Sequence, residues 1–318
     1  MTICPYCNSA KSLLLGHVYC SRQSTPMQKL ETGTLFIRSK KLEETSDHES
    51  RLSIRLMLNG RQYYRVGNHD HLVTSENYLV VNQGQRYRTA FQGKTEQEMI
   101  LVAFQPGFAE GLLHTLVTPQ DNLLDDPFHH NAQPVQFFEK TYDADPVIRQ
   151  LFSLLRGLID EDISVRKEVD LDGIYTALLV RLLDVHRNMD KEIGRLGSVK
   201  PSTRAELYRR LSIARDYMDA HLHRRVPVEE VATAACMSAH HFKRAFRELF
   251  GVPPHRYHVQ RRLETAGQLL RQGSMSVGEV CRSVGFEDAS SFIRLFRQRF
   301  GYTPGSGLSI NTLPVQPF

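Results

Sequence analysis

The sequence predicts an α+β multidomain protein, in which an N-terminal antiparallel β-barrel is followed by helices and then by an all-α C-terminal domain. The length of 318 residues is enough for about two domains. From about Leu52 to Phe104, short apolar or alternating runs lie between turns such as Asn-Gly and Gln-Gly, a pattern typical of antiparallel strands. In the last third, one stretch occurs twice, and each copy has the pattern of helix, turn and helix.

Positive charge is concentrated near the C-terminus. From Arg204 onward the chain has 17 Lys+Arg and 10 Asp+Glu, a net charge of +7, whereas the residues before it have 23 and 25. All but one of the 17 basic residues are arginines, the exception being Lys243. Because arginine pairs with both phosphate groups and guanine edges, this charge indicates a polyanionic partner, although a solvated basic helical surface would have the same composition.

The rest of the composition indicates where the protein works. There is no run of about 18 apolar residues, and the N-terminus lacks the charged start and apolar core of a signal peptide. We therefore expect a cytoplasmic protein with no membrane partner, in which structural disulfides are not expected.

The repeat defines the C-terminal domain. Val228 and Val231 recur 49 residues later as Val277 and Val280. Five further residues recur 50 residues later: Phe242, Phe246, Phe250, Gly251 and Pro254 match Phe292, Phe296, Phe300, Gly301 and Pro304. The offset grows by one between these groups, which places a one-residue insertion at the turn, where a loop tolerates it.

Capping residues predict the ends of the helices. Ser276 and Glu279 have capping-box spacing, Ser238 and Asp288 can each cap a second helix, and Gly285 interrupts the second copy. Gly251 and Gly301 end the second helices, whose phenylalanines form one apolar stripe that we assign to the core.

The opposite face of each second helix is the candidate binding surface. Side chains at spacings of three and four share this face: His240, Lys243, Arg244 and Arg247 in the first copy, Ser290, Ile293, Arg294 and Arg297 in the second. A single charged helix face is most often only solvated. Arginines at matched positions in both copies favour helices that enter the major groove of DNA.

The stretches MSAHHFKRAFRELFGVPPHRYHVQRRLETAGQLL and SVGEVCRSVGFEDASSFIRLFRQRFGYTP resemble the AraC/XylS family of bacterial regulators, from about Ala205 to Pro304. The resemblance implies seven helices, with two helix-turn-helix units joined by a long helix from Pro254 to Arg271, and recognition helices in successive major grooves. It implies base contacts from His240, Lys243, Arg244, Ser290, Ile293 and Arg294. The family usually continues after the last proline with an aromatic residue and an arginine, whereas this chain continues with Gly-Ser-Gly, so we expect a short last helix and a disordered tail.

The predicted domains follow from these patterns. They are a Cys-containing segment at 1–30, a sensor or dimerisation domain at 31–193, a linker at 194–203, the DNA-binding domain at 204–305 and a tail at 306–318. The strands of the sensor or dimerisation domain are similar to those of the family's cupin-like sensor domain, and such a barrel can hold one small ligand. Two amphipathic helices at about 145–190 either cover the barrel or pair between subunits; Leu178 and Leu182 lie in the second stripe.

Two histidine or cysteine clusters raise the question of a metal. His69 and His71 form an HxH pair, but the turn where a third histidine would be expected has Tyr87, so we interpret the pair as exposed turn residues. Cys4, Cys7, His17 and Cys20 are candidate zinc ligands, but the spacing fits no known zinc finger, and a redox pair or thiols with no role remain alternatives. We expect Cys236 and Cys281, inside the repeats, to be buried.

The sequence therefore predicts a sequence-specific regulator that binds double-stranded DNA as a homodimer, responds to an unidentified small-molecule effector, and contacts RNA polymerase if it is an activator. No catalytic constellation can be assembled from the linear sequence, and we expect no enzymatic activity and no cofactor. Two alternatives stay open: a cupin-type metal-dependent enzyme fused to a DNA-binding tail, using His69 and His71, and a DNA-alkylation sensor in which a zinc-bound N-terminal cysteine accepts a methyl group.

Overall fold

The computed structural model describes residues 14–15, 32–39, 48–91, 97–118, 134–159, 170–194, 196 and 200–306. The chain divides into two compact units, Met1–Gly194 and Arg195–Phe318. The candidate zinc ligands Cys4, Cys7, His17 and Cys20, and nearly all of the expected tail, lie outside the described residues. None of the described helices has the length and apolar composition that crossing a bilayer requires.

The first unit is built on two antiparallel sheets. The strands are β1 (Leu14–Leu15), β2 (Gly33–Ser39), β3 (His48–Glu49), β4 (Ser53–Asn59), β5 (Gln62–Val66), β6 (His69–Val73), β7 (Asn77–Val81), β8 (Arg86–Phe91), β9 (Gln97–Ala103) and β10 (Thr141–Asp143). Six strands form one sheet in the order β1-β2-β9-β4-β7-β10, and four form the other in the order β3-β8-β5-β6. The strands predicted between Leu52 and Phe104 are confirmed. The sequence pattern did not identify β2, β8 or β10 as strands.

The two sheets share one hydrophobic cluster. Met57, Leu79 and Met99 from the six-stranded sheet pack in the same cluster as Tyr64 and Val73 from the four-stranded sheet. The α+β class is confirmed. The expected closed barrel is not what the described strands form, because no hydrogen-bonded pairing among them joins the two sheets.

The described part of the first unit also contains three helices: α1 (Phe108–Val117), α2 (Pro146–Ile159) and α3 (Leu171–Ile193). The stripe predicted on the last of these is buried, with Leu178 and Leu182 at most 1% exposed. The Tyr175 hydroxyl lies 3.0 Å from Thr34 Oγ1 of β2, so α3 packs on the sheet of its own unit. This burial favours the covering role of the stripe over pairing between subunits.

The histidine pair is not in an exposed turn, and that prediction is wrong. His69 and His71 lie on β6, and His71 is fully buried. Glu139 Oε1 lies 2.7 Å from His69 Nδ1 and 3.9 Å from His71 Nε2. Burial raises the pKa of Glu139, but hydrogen bonds from the two imidazoles outweigh it and lower that pKa to about 2. Tyr87, predicted in a turn, lies on β8.

The second unit is helical in its described part. Its helices are α4 (Pro201–Ala220), α5 (Val228–Ala234), α6 (Ala239–Phe250), α7 (Pro254–Gln272), α8 (Val277–Ser283) and α9 (Ala289–Phe300). The last part of the predicted linker is therefore helical, because α4 begins at Pro201. Six helices are described where the resemblance implied seven, and Pro304–Ser306 form a single turn.

Candidate nucleic-acid interface

The first helix-turn-helix copy consists of α5 and α6. The Ser238 side chain caps α6 by accepting a hydrogen bond from the backbone N–H of His241, as predicted. The helix ends at Gly251, which adopts the left-handed conformation at φ 74°. In contrast, α5 follows Pro227, which offers no side-chain cap to its first turn.

The second copy, α8 and α9, has stronger caps. Ser276 and Glu279 form the predicted capping box, and Asp288 accepts hydrogen bonds from the backbone N–H groups of Ser290 and Ser291 at 3.1 and 2.7 Å. Hydrogen bonds from Ser291 and from the backbone at Ser290 lower the pKa of the Asp288 carboxyl, so the cap stays ionised at neutral pH. Gly301 ends α9 at φ 82°.

The predicted phenylalanine stripes form the cores of both copies. Phe242 and Phe246, like Phe292 and Phe296, are at most 1% exposed. A tyrosine packs its ring nearly perpendicular to the second phenylalanine of each pair: Tyr257 on Phe246 with centroids 5.5 Å apart, and Tyr302 on Phe296 at 5.7 Å. The two tyrosines come from different places in the chain, a helix and a turn, so the copies reach the same packing by different routes.

The turns of the two copies use the same backbone conformation with different residues. Gly285 has φ 73°, and Cys236, 49 residues earlier, has φ 52°. Cys236 is the only described non-glycine residue with positive φ, and it is exposed, so the prediction of a buried thiol is wrong there. Cys281 is buried as predicted. The offset of 49 that aligned the first helices also aligned Cys236 with Gly285, and this was the signal for its conformation.

Two adjacent arginines tie the connecting helix α7 to α4 and to the turn of the second copy. Arg261 Nε donates to Asp219 Oδ1 of α4 at 3.1 Å, and the Tyr257 hydroxyl, whose ring packs on the first copy, donates to Asp219 Oδ2 at 3.0 Å. Arg262 Nε donates to the carbonyl of Val284, in the turn of the second copy, at 2.5 Å. Asp219 and Arg262 are both buried, which makes these contacts insensitive to salt.

All the predicted groove-facing side chains are exposed on the second helices. The set comprises His240, Lys243, Arg244 and Arg247 on α6, and Ser290, Ile293, Arg294 and Arg297 on α9. Ile293, a large aliphatic side chain, is 40% exposed on this face. The fold thus places each set on one free helix face.

Each face lines a shallow groove. The grooves enclose about 770 Å³ in the first copy and 680 Å³ in the second, so they are matched in size as well as in sequence position. The sequence analysis missed further lining residues: Glu248, Pro253 and His255 in the first groove, Gln298 and Thr303 in the second. Glu248 and Gln298 are themselves related by the offset of 50, which could have identified them.

His69 and His71 are the residues considered for metal binding that lie in the described part of the chain. Among the described residues, no group of three His, Cys, Asp or Glu side chains has an arrangement that could hold a metal ion. His69 and His71 contact the Glu139 carboxylate, and Cys281 Sγ faces the carbonyl of Phe286 at 3.7 Å. No observation in the described part of the chain favours the metalloenzyme alternative.

Comparison with known proteins identifies a helix-turn-helix domain in the second unit. A family model described as a helix-turn-helix domain matches residues 231–307. A probable transcriptional regulator, LumQ from Photobacterium leiognathi, is 26% identical over 56% of this chain and 66% of its own length. The MmsAB operon regulatory protein of Pseudomonas aeruginosa is 33% identical over 28% of this chain and 29% of its own. The matched part of the chain spans less than two thirds of either relative.

Among solved structures, the DNA-binding domain of AdpA in complex with a target DNA is 31% identical to this chain, with a TM-score of 0.30, over 31% of this chain and 89% of its own length. The paired units and their matched faces overlap residues 231–307, the range that the helix-turn-helix model matches. The C-terminal unit therefore contains a helix-turn-helix domain, and the chain is similar in sequence to bacterial transcriptional regulators.

Proposed function

We propose that the protein is a transcription regulator that binds a specific site in double-stranded DNA. The observation that carries this proposal is the pair of equivalent grooves, each lined by exposed polar and basic side chains of one helix, in a unit with a net charge of +7 from Arg204 onward. Recognition helices of this kind enter successive major grooves on one face of the duplex, about 34 Å apart.

The side chains of each groove divide into two roles. We assign base contacts to Arg244 and Arg294, because a guanidinium on the exposed face of a recognition helix can donate two hydrogen bonds to guanine. His240, Lys243, Ser290 and Ile293 lie beside them as further base-contact candidates. Arg247 and Arg297, about one turn further along their helices, are placed to bind phosphate groups and fix the register.

The test is a binding comparison on an operator selected with the purified protein from random DNA. Arg244→Ala and Arg294→Ala should each weaken binding to the operator by about 1–3 kcal/mol and relax the preference at a few base pairs. Arg271→Ala removes an exposed arginine outside both grooves and serves as the matched control. An equal loss on operator and random DNA would show that Arg244 and Arg294 contact only phosphate.

We assign the first unit to effector sensing and dimerisation. Two antiparallel sheets packed on a shared core are also the arrangement of double-sheet jelly rolls, the group that includes cupins, which supports a cupin-like domain. RNA polymerase is a further proposed partner if the protein activates transcription.

A homodimer would need a different surface from the stripe predicted first, since Leu178 and Leu182 are buried. Val147 and Leu154, seven residues apart on one face of α2, are 48% and 49% exposed. We propose this face for the contact between two copies. Leu154→Glu should convert a dimer to a folded monomer in sedimentation experiments; a dimer that persists in this variant excludes the α2 face.

A further inference from the structure

The core of the first unit contains an arginine that forms no ion pair with any carboxylate among the described residues. Arg55 lies in the middle of β4, opposite Leu79 of β7 and Leu101 of β9, and is only 2% exposed. Residues directly opposite in adjacent strands share a face of the sheet, and Leu79 and Leu101 belong to or pack on the cluster that the two sheets share. The Arg55 side chain is therefore directed into the space between the sheets.

Two aromatic rings and a hydroxyl surround its guanidinium. Arg55 Cζ lies 3.7 Å from the ring centroid of Tyr87 and 5.2 Å from that of Tyr64, both on the four-stranded sheet. Arg55 Nη2 donates a hydrogen bond to Ser50 Oγ at 3.2 Å. Nε and Nη1 are buried and have no hydrogen-bond partner, and no carboxylate of the described residues forms an ion pair with this guanidinium.

This arrangement is unfavourable for an empty protein. Arginine cannot lose its proton in a protein, so burial cannot be relieved by neutralisation. Cation–π contacts recover only part of the hydration that a buried cation loses, and one hydrogen bond leaves most of its donors unused. Glu139 offers the contrast in the same unit, since its buried charge is met by two histidines. An anion beside Arg55 would supply what this site lacks.

The surroundings indicate which anion. The Tyr64 hydroxyl donates to Gln62 Oε1 at 2.5 Å, and burial raises the pKa of Tyr64, so this group stays a neutral donor. The other neighbours in the shared cluster are apolar, Met57 and Met99 among them. One cation among aromatic and aliphatic side chains matches a single negative charge on an apolar body, whereas a phosphate dianion would leave a charge unmatched.

We propose that Arg55 binds the carboxylate of a small organic acid beside the rings of Tyr64 and Tyr87, and that this acid is the effector. The inference rests on the proposed sensing function of the first unit and names the chemical class of its ligand. The planar guanidinium can donate two hydrogen bonds to one carboxylate, which fixes the orientation of the acid while the apolar part lies against the cluster.

The experiment is calorimetric titration of the full chain with butyrate, octanoate and benzoate, and with octanamide and benzamide as uncharged controls of the same shape. At least one carboxylate should bind, and its amide should bind about tenfold or more weakly. Inorganic phosphate is titrated separately. Binding of phosphate without any carboxylate, or equal binding of an acid and its amide, overturns the proposal.

Arg55→Met removes the charge and keeps the length of the side chain. It should abolish carboxylate binding and raise the melting temperature of the ligand-free chain, because an uncompensated buried charge is gone. A purely structural arginine would give the opposite change, a lower melting temperature. Carboxylate binding that is unchanged in Arg55→Met, with or without that lower melting temperature, refutes the site. Arg55→Lys keeps the charge and should retain weakened binding.

Operator binding measured on the same samples separates this proposal from the proposed function. Ligand-free Arg55→Met should still bind the selected operator, because its substitution lies outside the DNA-binding unit. If wild-type protein selects no operator, the regulator proposal fails whatever the acids do. If the operator is bound and no acid binds through Arg55, only the effector inference fails.

Discussion

The two helix-turn-helix copies have the same backbone plan but differ in surface and in local stability. The first presents His240, Lys243 and two arginines, whereas the second presents Ser290, Ile293 and two arginines. The first begins at an uncapped proline and turns at a strained cysteine; the second begins at a capping box and turns at glycine. We infer that the first copy supplies more of the electrostatic affinity and that the second is the better-ordered reader of base edges.

The largest expected effect concerns the glycine turn of the second copy. A Cβ on Gly285 would lie 2.6 Å from the backbone N of Arg224 and the carbonyl carbon of His223, and its φ is positive. Gly285→Ala should therefore reduce the free energy of unfolding by about 3 kcal/mol, through strain and overpacking together. Chemical denaturation of the full chain, followed by the circular dichroism of its helices, measures this free energy of unfolding.

Gly278→Ala is the matched control for this substitution. It lies in α8 of the same copy, where the nearest contact of an added Cβ is the flexible end of Arg282 at 3.8 Å. It should leave stability unchanged or raise it slightly, because alanine is the better helix former. If both alanines behave alike, the close approach at Gly285 is not what fixes the second turn.

Acid should destabilise the second unit through a buried histidine of α7. All the histidines of the second unit precede Val259 in the sequence, and His258 in α7 is buried. Burial, with the nearby Arg262 charge, lowers the pKa of His258 from 6.5 to about 4. The unfolded chain therefore binds this proton at higher pH than the folded chain does, and the free energy of unfolding falls as the pH falls from 6.5 towards 4.

Between pH 7 and pH 5 this amounts to about 2 kcal/mol, from roughly 1.4 kcal/mol for each unit of pKa. His258→Gln should flatten the dependence of unfolding on pH, whatever its effect at pH 7. Histidine resonances followed by NMR would identify the group. A pH slope that is the same in His258→Gln and the wild type would assign acid sensitivity to other residues.

The difference between the two faces predicts different responses to salt. Lys243→Ala should weaken binding to operator and random DNA alike, and reduce the slope of log affinity against log salt by about one, if its ammonium contacts phosphate.

Ile293→Ala should weaken only operator binding, by about 1 kcal/mol, with an unchanged slope, because an exposed aliphatic side chain is suited to a thymine methyl group. Anisotropy titrations at several salt concentrations distinguish them; identical slopes for both variants would remove the proposed division between the copies.

The smallest effect concerns the strained turn of the first copy. Cys236→Gly should raise the free energy of unfolding by up to about 1 kcal/mol, since glycine adopts positive φ without a steric cost but loses more backbone entropy on folding. Cys236→Ala, which keeps the strain, is the control and should be nearly neutral. A glycine variant no more stable than the alanine variant would show that the turn is not strained.

Features specified by neighbouring residues could be predicted from the sequence. Caps at Ser238, Ser276 and Asp288, the buried phenylalanines and the exposed faces all follow from spacing within one or two helical turns. The environment of His71 could not be predicted, because Glu139 lies 68 residues further along the chain. The burial of Arg55 beside Tyr64 and Tyr87 is likewise a property of packing between two sheets. The burial of Leu178 was foreseen, but not whether its own unit or a second subunit covers it.

The adjacent residues Arg261 and Arg262 fix the orientation of the elements that pack on α7. One side chain is fixed to the Asp219 carboxylate of α4 and the other to the Val284 carbonyl in the turn of the second copy, so neither α4 nor the second copy can rotate about α7 without breaking a hydrogen bond to a buried residue. The DNA duplex also requires a fixed spacing, since about 5 extra base pairs would place the second contact site on the opposite side of the duplex. The spacing between the two halves of an operator should therefore be invariant, and insertions there should abolish binding even when every contacted base is kept.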